Sequence, residues 1–175
     1  MKNVTLILFI YFTSLDVLAC SFMTGDLFKP NLERWEQHPG PAQLNENQEG
    51  DYWEPVPRPV ISDIQISRAS YKGNSSCDDA GIISFKVQVP ESSTYELTEF
   101  GVYFHIIEGD LPDMIFPNIP LTGILKEEGH YFVFPWLDHR PSMQRPLNLT
   151  VEARFISNGL DLGNPSIFKI EQSDG

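Results

Sequence analysis

The sequence predicts an all-β protein, an antiparallel β-sandwich of about seven short strands, and three observations carry that expectation. Beyond residue 60 apolar residues recur at every second position in several stretches, the mark of strands with one buried face. Those stretches are punctuated by clusters of Gly, Pro, Asn, Asp and Ser, which favour turns. No part of that region has helical periodicity.

Taken in order, Ile64 and Ile66 alternate with Asp63, Gln65 and Ser67 and form a first strand. The polar loop from Tyr71 to Ala80 leads to Ile83, Phe85, Val87 and Val89, which alternate with Ser84, Lys86 and Gln88 until Pro90 ends the strand. A third strand runs from Gly101 to Ile107, apolar on both faces. Ile115 to Leu125 reads as a short edge strand, because its prolines cannot donate to a ladder. After the turn Lys126-Glu127-Glu128-Gly129 comes Tyr131 to Leu137, again apolar on both faces. Leu147, Leu149, Val151, Ala153 and Phe155 alternate with Asn148, Thr150, Glu152 and Arg154 and make the clearest strand. Ile167 to Ile170 closes the domain after Gly163-Asn164-Pro165-Ser166.

The flanks have a different character. Lys2, the apolar run Val4 to Phe12 and the small Ala19 form a secretory signal over residues 1–19. The run falls short of the ~20 apolar residues that span a bilayer. Residues 20–58 have tether composition: they are polar and turn-rich, and Pro55, Pro57 and Pro59 impose an extended run at the end. The sandwich occupies residues 59–171, and residues 172–175 form a tail.

Val17-Leu18-Ala19-Cys20 resembles the lipobox of bacterial lipoproteins. That resemblance implies acylation of Cys20, anchoring to a lipid bilayer and, with Ser21 following, the outer membrane of the cell envelope. The residues also support a second expectation, a periplasmic or secreted unlipidated domain with a Cys20–Cys77 disulfide, since these are the chain's only two cysteines. The two exclude each other at the Cys20 sulfur. Asn74-Ser75-Ser76 and Asn148-Leu149-Thr150 are glycosylation sequons that matter only in a eukaryotic secretory pathway.

The stretch Leu147 to Phe155, then Ser157-Asn158-Gly159 and Gly163-Asn164-Pro165-Ser166, resembles the last two strands of a fibronectin type III domain. The resemblance extends over residues 57–171 and implies an immunoglobulin-like sandwich. The corner tyrosine of that family would fall near Leu147, and the second strand lacks its tryptophan.

A net charge of −12 with only 12 Lys and Arg leaves no basic stripe for a phosphate backbone, so nucleic acid is not an expected partner. The four histidines at 38, 105, 130 and 139 match no metal-ligand spacing, and the acidic loop residues match no calcium loop. With no nucleophile elbow or phosphate cradle either, neither catalysis nor a cofactor is expected. What exceeds the needs of one core layer is apolar surface on the strands around Tyr103 and His105 and around Phe132, Phe134 and Trp136. Either the tether aromatics Trp35, Tyr52 and Trp53 fold back to cover it or a partner docks there. The expected function is a noncatalytic envelope lipoprotein that binds a protein or surface polymer. The unlipidated secreted binding domain is the first alternative, and an accessory enzyme or calcium-dependent carbohydrate-binding module the second.

Overall fold

The computed structural model describes residues 25–31, 56–73, 77–93, 95–109, 111, 115–126 and 129–172. Their strands are β1 (Asp26–Leu27), β2 (Val60–Ser67), β3 (Ala80–Gln88), β4 (Phe100–Glu108), β5 (Leu121–Thr122), β6 (Ile124–Lys126), β7 (Gly129–Leu137), β8 (Leu147–Ser157) and β9 (Ser166–Gln172). They form two antiparallel sheets ordered β1-β5-β4-β8-β9 and β2-β3-β7-β6. With β1 and β5 set aside, β2-β3-β7-β6 faces β4-β8-β9, the strand order of a seven-stranded immunoglobulin-type sandwich.

The alternation that defines each strand also fills the core. Val102 and Phe104 of β4 and Leu149, Val151, Ala153 and Phe155 of β8 face Ile83, Phe85 and Val87 of β3 and Phe132 and Phe134 of β7, all buried. Phenylalanines dominate the middle layer in edge-to-face pairs: Phe104 and Phe132 at 4.9 Å between ring centres, Phe116 and Phe134 at 4.7 Å. Such pairs add roughly 0.5–1.5 kcal/mol each beyond the area they bury.

The segment expected to be one edge strand is two strands in different sheets. β5 pairs with β4 and β6 pairs with β7, so the chain changes sheet at Gly123. The reason is local: a Cβ on Gly123 would lie 2.7 Å from the Phe132 ring and 2.8 Å from His130 Cβ. Only a glycine lets the backbone pass that close to β7. Upstream, Ile115 and Phe116 are buried and close the side of the core that the short β5 and β6 leave uncovered.

β1 comes from the stretch with tether composition. It pairs with β5, and the Phe28 amide donates to the Pro120 carbonyl. The Phe28 ring lies on Gly101, where a Cβ would sit 2.4 Å away. Cys77, in the β2–β3 connection, is oxidised in a disulfide. Cys20, the only other cysteine of the chain, lies outside the described residues.

Candidate functional site

Strand alternation sorts the candidate binding residues by face. Phe132 and Phe134 are fully buried and Trp136 nearly so, because even-numbered residues of β7 point into the sandwich. They are packing residues. The Trp136 indole lies against Gly81 of β3, its register partner, where a Cβ would come within 2.3 Å of the ring. The structure thus lays a tryptophan over the second long strand from its neighbour, in a strand that has no tryptophan of its own.

Tyr103 and His105 belong to the opposite side of the other sheet. On β4, Gly101, Tyr103, His105 and Ile107 point away from the core, with Tyr103 half-buried and His105 and Ile107 exposed. Ladder pairing sets Tyr103 beside Arg154 and His105 beside Glu152 on β8, and Glu152 beside Ile167 on β9. Ile167 is exposed and Ile156 half-buried, so apolar side chains flank the charged ones. Arg154 donates to both Glu152 oxygens, at 2.7 and 3.1 Å. These hydrogen bonds foremost hold the Glu152 carboxyl below its ordinary range; burial opposes them, and the charges of Arg154 and then His105 add to the lowering. The result is a sheet face with an aromatic, three isoleucines and an ion pair whose bidentate hydrogen bonds are made within the protein, Arg154 donating also to the Gly163 carbonyl at 3.3 Å. Trp35 and Trp53 lie outside the described residues.

A second polar constellation was not apparent in the sequence. Asp138, directly after β7, accepts from Arg68 Nε at 2.6 Å and Nη2 at 2.8 Å, and from the amides of Ala69 and His139. Arg68 also donates to the Arg145 carbonyl, Tyr71 Oη to the Asp138 carbonyl, and Gln144 to the carbonyls of Ala69 and His139. Burial pushes the Asp138 carboxyl up, but the Arg68 hydrogen bonds, the two amides and the Arg68 charge outweigh it and leave it below its ordinary value. The network fastens the β2–β3 connection to the β7–β8 connection. Every polar atom just named spends its hydrogen bond within the protein, so the cluster reads as a structural clasp.

His130 and His139 sit at opposite ends of β7, and among the described residues no three His, Cys, Asp or Glu side chains converge as metal ligands. Also among the described residues, a groove of about 700 Å³ runs beside β1, lined by Asp26, Phe28, Asn31, Thr98, Thr122 and Asn158 among others. The chain enters and leaves this region at one place. The Asn31 amide donates to Asn158 Oδ1 at 2.8 Å, and Val56 packs against Gly163, both in the β8–β9 turn.

No family model matches the chain, and no curated protein or solved structure matches it significantly.

Proposed function

We propose that the chain is an exported, noncatalytic binding module that presents the outer face of β4, β8 and β9 to a protein or surface polymer. The observation that carries export is the oxidised state of Cys77, which goes with an N-terminal segment of secretory character and with an oxidising compartment. Tyr103, Ile107, Ile156 and Ile167 around the Glu152–Arg154 pair support the binding role, because a purely solvated sheet face has no use for that aromatic and aliphatic content.

Because Cys20 is the only other cysteine, the disulfide favours a periplasmic or secreted form in which Cys20 is consumed by the bridge. The lipobox-like Val17-Leu18-Ala19-Cys20 favours a second reading, a lipid-anchored protein of the outer membrane whose Cys77 bridges to another chain. Intact mass under non-reducing conditions separates them. A monomer two hydrogens lighter than the reduced chain starting at Cys20 supports the first reading, and an increment of hundreds of daltons for acyl groups supports the second. An unprocessed chain carrying residues 1–19 in the cytosol overturns both. For the face itself, a photo-crosslinker at Tyr103 should capture a partner that one at Gln65, on an edge strand of the other sheet, does not. Equal capture from both positions overturns the assignment.

A further inference from the structure

His130 has no role in the binding face or the clasp, and its setting is unusual. It is only 2% exposed, and neither Nδ1 nor Nε2 has a hydrogen-bond partner. Buried polar atoms are nearly always partnered, so a bare imidazole in a core calls for a reason. We propose that His130 is an acid-sensitive latch: while the ring is neutral it clamps the sheet-changing segment Gly123–Lys126 onto β7, and protonation of the ring releases that segment.

The geometry puts the ring where it can act in this way. His130 shares the inward face of β7 with Phe132 and Phe134, stands opposite Val87 of β3 and Leu125 of β6, and places its Cβ so near Gly123 that a Cβ added there would lie 2.8 Å from it. An imidazolium here would need two acceptors. The charged groups on the flanking strands are Lys86 and Lys126, which pair with Tyr131 and Gly129 and so belong to the other face of the sheet, and both are cations. β5 contributes Leu121 and Thr122, and β4 turns Phe100 and Val102 inward. Tyr95, on the β3–β4 connection at the same end, packs its ring on Phe100. Asp138 lies eight residues along β7, roughly 26 Å away at about 3.3 Å per residue, and is held by Arg68. Glu127 and Glu128, just before β7, lie outside the described residues. Burial accordingly lowers the basicity of the ring.

The segment is built to yield first. β6 is three residues long, forms the edge of its sheet and pairs only with β7, and Leu125 and Lys126 are exposed. Short exposed edges open locally at lower free energy than central strands. A group whose basicity is lower in the closed form stabilises that form fully above its unfolded value near 6.5 and loses this as pH falls through the window below it. One proton taken up on opening raises the opening constant by up to tenfold per pH unit in that window.

The test is amide hydrogen exchange, corrected for intrinsic rates, on the full disulfide-containing protein between pH 7.5 and 5, with His130→Phe alongside. In the wild type, protection of Ile124–Lys126 should fall by up to tenfold per unit below about pH 6.5 while β8 amides hold, and in His130→Phe it should stay level. A level wild-type profile, the same slope in His130→Phe, or an equal fall across β8 overturns the latch. Should His130→Phe not fold, the imidazole nitrogen resonances of the wild type decide. A midpoint below 6.5 that tracks the loss at 124–126 supports the proposal, and a midpoint at or above it overturns the proposal.

Discussion

Asp138 concentrates much of the molecule's polar bonding on one side chain. Its partner Arg68 is 70 residues away in sequence, and the two are joined by a bidentate pair whose carboxylate side is almost fully buried. Removing one member strands the other in a low-dielectric site, which typically costs about 3–5 kcal/mol. Asp138→Ala should therefore lower the urea midpoint far more than a surface substitution such as Glu171→Ala, which chemical denaturation measures directly. Acid should act at the same place. A carboxylate whose folded value is depressed gives its stability above the unfolded value near 3.9 and loses it as pH falls through the folded value. The acid-unfolding curve of the wild type should thus have a component below about pH 4 that Asp138→Asn lacks.

Sequence reading could not find this pair. A lone Asp after an apolar strand and a lone Arg before a polar loop carry no spacing that links them, because the link exists only once β2, β3 and β7 lie side by side. No motif or spacing in the sequence pointed to it.

At the scale of elements, what could be read depended on whether one face or both were apolar. β8 alternates cleanly, so its buried face was legible residue by residue. β4 and β7 are apolar on both sides, and a period of two then gives the strand without telling which side turns inward. That is why Phe132 and Phe134, both interior, were grouped with Tyr103 and His105 on the outside of the other sheet. β1 was invisible because two residues define no period, and its existence rests on Phe28 finding the bare backbone of Gly101. The sheet change at Gly123 was hidden inside a stretch that read as one edge strand. Gly123→Val should be among the most damaging single changes in the chain. Its side chain meets the buried Phe132 ring, and overpacking of this kind costs roughly 1–3 kcal/mol or more, to be read as a lowered melting temperature. Gly101→Ala instead displaces Phe28, a half-buried ring on the outside, so it should free β1 while leaving the β8 amides protected in hydrogen exchange.

For the molecule as a whole, the disulfide at Cys77 ties down the β2–β3 connection. A bridge between positions 20 and 77 would restrict the unfolded chain by about 4 kcal/mol in the loop-closure picture. Reduction should therefore lower the thermal midpoint by several degrees or more, and alkylation after reduction should make the loss permanent; an unchanged midpoint would separate Cys77 from any long-range tie. The broad class was legible because alternation and turn chemistry agree along the whole region beyond residue 60. The proposed binding role has only a surplus of apolar residues behind it in the sequence, since a surplus says that something is covered but not by what.

The β8–β9 turn meets both Asn31, through Asn158, and Val56, through Gly163, so the described residues on either side of positions 32–55 are moored to one turn of the sandwich. That shared mooring makes the β8–β9 turn the place where a change at Asn158 or Gly163 reaches β1 and β2 together.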